Sequence, residues 1–302
     1  MNKKVGIVGA GVVGTAVAVI LFQKGWEITG VYDIRPESTI NLAEKVSARP
    51  QITPQDAAKA ADILFITTSD SAIEEVAGQI AWEGGIQPGQ VVVHMSGALS
   101  SDVLSRDRAC GAVVLSVHPL QSFANEERAV QNLPGSVFSI EGDEEGYPVA
   151  QAIVEALGGE YFFIDQKAKP LYHASACVVS NYLVTVIGFG AKLMESVGIP
   201  RQSAIKALLP LIEGTVSNIA AIGVPSALTG PIARGDQSTV EKHLEVMHEM
   251  TPHMVELYAM LGLHTVEVAE AKGTIDDQTG QVLVELFRKE LGHQAVAIPY
   301  TG

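Results

Sequence analysis

Residues 4–14 read Lys4-Val-Gly-Ile-Val-Gly9-Ala-Gly11-Val-Val-Gly14, and this stretch decides how the first half of the chain folds. The short run rich in Val and Ile predicts a β-strand, and the three glycines that follow have the spacing G-x-G-x-x-G before an apolar helical pattern. The first glycine allows a tight turn, the second lets the backbone approach a pyrophosphate, and the third lets the helix pack against the strand. The stretch therefore predicts a strand, a phosphate-binding turn and a helix.

A second predicted strand, from Glu27 to Tyr32, leads to an acidic residue, Asp33, nineteen residues after Gly14. An acid at about this distance accepts hydrogen bonds from the adenosine ribose of a bound dinucleotide. The carboxylate disfavours the additional phosphate of NADP, although Arg35 could bind that phosphate or stack on adenine. The sequence therefore favours NAD as the cofactor and leaves NADP open.

The alternation of strand and helix continues with a predicted strand over 61–66, which ends at two threonines. Ligands of doubly wound sheets lie beyond the carboxyl ends of the strands, so these threonines should line the cofactor channel near the nicotinamide. The complete set of predicted cofactor-binding residues is Gly9, Ala10, Gly11, Val12, Val13, Gly14, Asp33, Arg35, Thr67 and Thr68.

Further strands are predicted over 90–93, 112–117, 136–140 and 160–164, and the acidic run Glu141 to Glu145 is interpreted as a solvated turn. After Ile164 the alternation stops and long helical patterns follow. We expect an α/β chain with an N-terminal Rossmann dinucleotide-binding domain over 1–165, built on a doubly wound and mostly parallel sheet. An all-α C-terminal domain over 166–302 should then serve substrate binding and dimerisation.

Composition narrows the classes of partner. Lys and Arg total 20 against 34 Asp and Glu, giving a net charge of -14 that disfavours nucleic acid and anionic membrane surfaces. The two cysteines, Cys110 and Cys177, predict neither a disulfide framework nor a metal site and favour a cytoplasmic protein. The apolar run over 5–22 resembles a signal peptide, but its four glycines would each weaken a continuous helix by about 1 kcal/mol.

Two predicted strands end in polar clusters, His94-Met-Ser96-Gly97 and His118-Pro-Leu-Gln-Ser-Phe123. The second resembles the H-P-M-x-G segment of prephenate dehydrogenases, whose histidine acts on the substrate hydroxyl, and the first stands where those enzymes carry a serine. The resemblance implies catalytic roles for Ser96 and His118. The simpler alternative is a core histidine bonded to the backbone and a serine that caps a helix.

The order of a Rossmann unit followed by a helical domain resembles the superfamily of 6-phosphogluconate dehydrogenase, ketopantoate reductase and pyrroline-5-carboxylate reductase. Together with Tyr172-His173-Ala-Ser-Ala and Leu228-Thr-Gly-Pro-Ile-Ala-Arg-Gly-Asp236, the two clusters resemble, over nearly the whole chain, a family of Rossmann proteins with a C-terminal helical domain of unknown function.

Ketopantoate reductases carry Lys, Asn and Asn at helical positions i, i+4 and i+8, where this chain has His173, Cys177 and Asn181. The resemblance implies that His173 and Asn181 are catalytic, since a histidine can also protonate a developing alkoxide. Lys169, one turn earlier, could provide the missing cation for the substrate. The alternative is that His173 packs in a seam between helices.

In the segment that ends at Asp236, Arg234 could bind a substrate carboxylate through two parallel hydrogen bonds, with Asp236 orienting it or the cofactor amide. A turn salt bridge between the two residues is the alternative reading.

Two hypotheses about function follow. In the first, the protein is an NAD(P)-dependent oxidoreductase that moves a hydride between nicotinamide and a small oxo or imino acid, by a reaction like that of ketopantoate reductase or of pyrroline-5-carboxylate reductase. In the alternative it is a non-catalytic dinucleotide-binding or sensing protein, because the lysine of the superfamily is missing at position 173. The expected partners are a small anionic substrate and a second copy of the chain in a homodimer.

Overall fold

The structure is a computed structural model and describes residues 3–292. The chain divides into two compact units, the first ending at Tyr182 and the second beginning at Leu183.

One eight-stranded sheet forms the centre of the first unit. Its strands are β1 (Lys4–Val8), β2 (Glu27–Tyr32), β3 (Arg49–Pro50), β4 (Ile63–Ile66), β5 (Val91–His94), β6 (Val113–Pro119), β7 (Val137–Gly142) and β8 (Glu160–Phe163). They lie side by side in the order β3-β2-β1-β4-β5-β6-β7-β8. Every neighbouring pair is parallel except β6 and β7, which are antiparallel. The predicted doubly wound, mostly parallel sheet is confirmed, and its order changes direction between β1 and β4.

Eight helices complete the first unit: α1 (Val12–Gln23), α2 (Pro36–Lys45), α3 (Pro54–Lys59), α4 (Asp70–Trp82), α5 (Ser105–Ala109), α6 (Glu126–Asn132), α7 (Tyr147–Ala156) and α8 (Lys169–Val179). The second unit is helical over its described residues, as predicted. Its helices are α9 (Asn181–Ser196, which starts just before the division), α10 (Arg201–Ile222), α11 (Gln237–Met250), α12 (Val255–Lys272) and α13 (Asp277–Leu291).

Helices cover both faces of the sheet, which is why its central strands are apolar runs without polar alternation. On β4, Phe65 faces a core that includes residues of α1, α2, α6 and α7, while Leu64 faces the other core, built with α3 and α4. The second unit has its own core, in which Leu263 of α12 and Phe287 of α13 are fully buried.

Two features differ from the sequence-based expectation. The acidic run after residue 140 is not a turn from its start, because Glu141 lies within β7 and is buried. Ser101 donates from its backbone N–H and its hydroxyl to the two oxygens of this carboxylate, at 2.8 Å each, so the charge is satisfied by a residue forty positions away. The division between the units also follows α8, whereas the predicted domain boundary at 165/166 precedes it.

Candidate functional site

The glycine turn after β1 is confined at its first and third glycines and open at its second. Gly9 has a φ of +105°, and a Cβ there would lie 2.6 Å from the carbonyl carbon of Thr67. Gly14 is equally confined, because a Cβ would overlap the carbonyl oxygen of Gly9. At Gly11, in contrast, an added Cβ would meet nothing within 4 Å. The turn therefore packs tightly against β4 on one side and is open at its middle glycine.

This open side borders a cavity of about 450 Å³ at the carboxyl ends of β1, β2 and β4. Helix α1 begins at the turn with Gly11 as its N-cap and has no side-chain cap, so its first amide groups are available to an anion. Six of the predicted cofactor-binding residues line the cavity: Gly9, Gly11, Asp33, Arg35, Thr67 and Thr68. These residues fit the pyrophosphate and adenosine portion of a dinucleotide.

The remaining predicted residues support this turn. Ala10 is buried, while Val12 and Val13 in the first turn of α1 pack against the sheet core. The hydroxyl of Thr67 donates to the carbonyl oxygen of Gly9 at 2.7 Å, which joins the end of β4 to the turn.

The carboxylate of Asp33 accepts hydrogen bonds within the protein, which its position in the sequence did not indicate. One carboxylate oxygen accepts the backbone N–H of Ala10 at 2.8 Å, and the other accepts the backbone N–H and the Nε–H of Arg35 at 2.9 and 3.2 Å. The side chain of Asp33 is only 9% exposed, whereas that of Arg35 is 67% exposed. Asp33 thus holds both the glycine turn and Arg35, and Arg35 lines the cavity.

A second cavity of the same unit, about 410 Å³ in volume, brings together three of the four predicted catalytic residues. His118 comes from the end of β6, His173 from α8 and Asn181 from the start of α9, and all three line this cavity with Cys177. The Sγ of Cys177 lies 3.9 Å from Nδ1 of His173, as expected for residues one helical turn apart. The ring centroids of His118 and His173 are 6.3 Å apart.

Ser96, the fourth predicted catalytic residue, is occupied by local contacts. Its hydroxyl donates to a carboxylate oxygen of Asp70 at 2.8 Å and accepts the backbone N–H groups of Ala98 and Leu99 at 3.2 and 3.1 Å. Ser96 therefore caps the turn that follows β5, in line with the simpler alternative for this residue.

Lys169 is the first residue of α8 and is fully buried. Its ammonium donates to the carbonyl oxygen of Ser96 at 2.8 Å and to the hydroxyl of Ser116, and it lies 3.8 Å from an oxygen of Glu141. The predicted cation for the substrate is thus hydrogen-bonded to the turn after β5 and to β6, beside a carboxylate of β7.

Burial and the charge of Lys169 change the titration of the neighbouring histidines. Burial, together with the nearby Lys169 and His173, lowers the pKa of His118 to about 3. Burial likewise lowers the pKa of His94 to about 3 and that of Lys169 to about 8. At neutral pH His118 is therefore an uncharged imidazole.

Arg234 and Asp236 lie in the second unit. Arg234 is exposed at the end of a short 3-10 turn, Ile232–Arg234. Asp236 is the N-cap of α11 and accepts the backbone N–H and the hydroxyl of Thr239 at 3.1 and 2.7 Å, which holds the pKa of its carboxyl below the ordinary value. The structure shows a helix cap where the alternative reading expected a turn salt bridge.

The chain matches two domain families. Residues 1–119 match the Rossmann-like domain, which agrees with the strand order of the first unit. Residues 136–265 match a domain of unknown function, DUF2520. The chain thus combines a Rossmann-like domain with a DUF2520 domain, which confirms the resemblance to Rossmann proteins with a helical domain of unknown function.

Individual proteins resemble this chain in sequence or in structure. It is 27% identical, over 177 residues, to a glycerol-3-phosphate dehydrogenase that uses NAD(P)+ from Geobacter metallireducens; the match covers 52% of this chain and 51% of the relative. The chain therefore spans about half the length of the curated relative that it matches. A crystal structure of a Thermotoga maritima protein is 27% identical with a TM-score of 0.71, covering 89% of this chain and 99% of that one. A Bacteroides fragilis protein assigned as an NADP oxidoreductase is 25% identical with a TM-score of 0.68, covering 88% and 98%.

Proposed function

We propose that the protein is an NAD(P)-dependent oxidoreductase that transfers a hydride between nicotinamide C4 and a small oxo or imino acid. The observation that carries this proposal is the cavity at Gly11, which is shaped for the phosphates and ribose of a dinucleotide. A second cavity with two imidazoles lies in the same unit. The dehydrogenase and oxidoreductase among its relatives support the same class of reaction.

The sheet topology relates the two cavities. β1, β4, β5 and β6 are parallel neighbours, so the glycine turn, Thr67, Gly97 and His118 all lie towards the carboxyl edge of the sheet. A nicotinamide cofactor would supply or receive the hydride when bound, and the amides at the start of α1 would hold its pyrophosphate. The imidazoles of His118 and His173 would exchange a proton with the oxygen or nitrogen of the substrate.

The proposal also states that the substrate is an anion, held through its carboxylate. We assign Arg234, which is exposed and precedes Gly235, as the cation that binds the substrate carboxylate. Asp236 fixes the start of α11 two residues later. Lys169 acts on the site through its charge, because its ammonium is already hydrogen-bonded. Reductions like that of ketopantoate and like that of pyrroline-5-carboxylate are the two specific forms of this reaction.

NADH is the preferred cofactor in this proposal, because the carboxylate of Asp33 repels a ribose 2′-phosphate. Titration of the purified protein with NADH and NADPH, followed by nicotinamide fluorescence, should give tighter binding of NADH. Arg35→Ala should weaken NADPH binding further and leave NADH affinity within about twofold, because a 2′-phosphate gains most from the guanidinium. If NADPH binds tenfold better to the unmodified protein, Arg35 dominates and the role given to Asp33 is wrong.

Catalysis is tested by mixing the purified protein and NADH with each member of a panel of 2-oxo acids and cyclic imino acids. The neutral amide of each acid serves as its control. Oxidation of NADH by an acid and not by its amide is the expected result, and Arg234→Ala should raise KM for the acid about tenfold or more, as expected when a charged contact is removed. Tight NADH binding without turnover of any panel member would favour the alternative, a dinucleotide-sensing protein.

A further inference from the structure

Tyr172, which is not among the predicted catalytic residues, makes the direct side-chain contact to His118. Its hydroxyl lies 2.9 Å from Nδ1 of His118, and the two rings meet edge to face with centroids 5.6 Å apart and an interplanar angle of 85°. The phenol ring also packs against Phe162, at a centroid distance of 5.9 Å. Tyr172 is in the first turn of α8 and Phe162 is in β8, so secondary structure fixes both positions.

The direction of this hydrogen bond follows from the acidity of the two groups. A phenol, with a pKa of about 10, is a stronger donor than the N–H of a neutral imidazole. Burial raises the pKa of Tyr172, so the phenol keeps its proton, and burial with Lys169 keeps His118 uncharged. The hydroxyl therefore donates to Nδ1, and the single imidazole proton of His118 is on Nε2.

The surroundings of Nε2 leave it available to a ligand. His118 lines the 410 Å³ cavity, and Nδ1 makes the one hydrogen bond that this side chain has among residues 3–292. The titratable groups that face the ring are Tyr172, His173 and Lys169 of α8 and His94 of β5. None of these is a carboxylate that could draw the proton back to Nδ1.

We propose that Tyr172 positions His118 as a neutral proton donor whose Nε2–H is directed to the substrate atom that becomes the alcohol or amine. This inference rests on the proposed oxidoreductase function. A bound reduced nicotinamide would supply the hydride to the substrate carbon, and Nε2 of His118 would then give its proton to the substrate oxygen or nitrogen. Nδ1 takes the proton of the Tyr172 hydroxyl, and water then reprotonates the phenolate. His118 is neutral before and after the step, in opposite tautomers.

Tyr172→Phe tests the proposal, because it keeps the ring and removes the hydroxyl. We expect kcat to fall about 100-fold, a typical size for a lost proton-transfer contribution, with KM and NADH affinity unchanged. Tyr161→Phe is the matched control: its hydroxyl accepts a hydrogen bond from Gln151 at 2.8 Å near the surface of the same unit, and its loss should leave kcat unaltered.

A readout independent of turnover comes from nitrogen-15 spectra of the histidines. In the unmodified protein His118 should remain neutral with the proton on Nε2 from pH 5 to 8, and in Tyr172→Phe the tautomer should shift towards a mixture. A proton on Nδ1, a titration near pH 6.5, or a Tyr172→Phe variant with unchanged spectra and kcat would each overturn the proposal. The expected spectra without turnover on any substrate would contradict the oxidoreductase function and leave the tautomer assignment standing.

Discussion

At Gly97, just after β5, two imidazole rings occupy the space that a side chain would take. A Cβ there would lie 2.7 Å from Nε2 of His118 and 2.7 Å from Cδ2 of His173, closer than real contacts allow. Gly97 is itself buried, so a side chain at this position would have to push one of the rings aside. The absence of a side chain at this position is what lets the two rings approach each other.

Gly97→Ala should therefore separate the imidazoles. We expect kcat to fall strongly and the free energy of unfolding to fall by about 1–3 kcal/mol, the cost of overpacking a filled interior, while NADH affinity is retained. Steady-state kinetics and urea denaturation measure the two effects. Gly188→Ala in α9, where an added Cβ would meet nothing within 4 Å, is the control. A Gly97→Ala variant with normal kcat would show that the spacing of the rings is unimportant.

Sequence reasoning selected His118, His173 and Asn181, which line one cavity, because strand ends and helical spacing can be counted along the chain. It did not find the contacts that depend on residues far apart in sequence. The partners of Lys169 come from the turn after β5 and from the strands β6 and β7, and the bond between Tyr172 and His118 joins positions 54 residues apart. The adjacent residues Tyr172 and His173 could have indicated the contact between Tyr172 and His118, since neighbouring residues on a helix project in different directions and can meet different partners.

Among the elements, the five-residue helix α5 contains an unusual acid. Asp107 is fully buried, and neither of its carboxylate oxygens has a hydrogen-bond partner in the described part of the chain. Burial raises the pKa of this carboxyl to about 7. The protein must therefore fold around either a protonated acid or an uncompensated charge.

Stability should consequently depend on pH through Asp107. The folded-state pKa is above the unfolded value, so the folded protein binds more protons between about pH 4 and 7, and the free energy of unfolding falls as pH rises through this range. Asp107→Asn should remove this part of the dependence and raise stability at pH 8 by about 1–3 kcal/mol, because the amide cannot leave an uncompensated charge in the interior.

Urea denaturation at several pH values measures this effect. Asp102→Asn, whose side chain is 65% exposed on the preceding turn, should retain the dependence of the unmodified protein. Parallel pH profiles for Asp107→Asn and the unmodified protein would contradict the assignment.

The strands were predictable from the sequence where a long apolar run marks them. The bounds of β1 and β2 agree with prediction, and those of β4 to β8 differ by about two residues at most, because long apolar runs mark buried strands. The two-residue strand β3 and the short helix α3 were not predicted, since neither is long enough to show a period. Glu141 was misassigned because its compensation comes from Ser101 and Lys169, which no local pattern reveals.

At the scale of the whole molecule, two apolar helical stretches are unusually exposed. Gln166–Ser196 and Arg201–Ile222 are long and apolar enough to cross a membrane, and only 6% and 0% of their most apolar windows are buried. Lys206, Pro210 and Glu213 interrupt the second stretch, and a charge in the centre of a bilayer costs about 2.5–3.5 kcal/mol. We propose that a second copy of the chain covers these surfaces in a homodimer.

Light scattering at micromolar concentration should give twice the 31.9 kDa of one chain. Leu211→Glu, on a side chain that is 67% exposed in α10, should yield the monomer, because a carboxylate would be buried in the interface. Ile52→Glu, at a side chain 89% exposed in the first unit, should leave the mass unchanged. A monomeric unmodified protein, or one that partitions into lipid vesicles, would refute the dimer.

The division after Tyr182 has a consequence for how such proteins diversify by gene recombination. His118 and His173 belong to the same unit as the glycine turn, and Lys169 ties α8 to the ends of β5 and β6. A crossover after residue 182 would exchange the second, helical unit and keep His118 and His173 on the same segment as the glycine turn. A crossover at 165, where strands give way to helices, would separate the pair, so hybrids joined there should inherit a fold without its paired imidazoles.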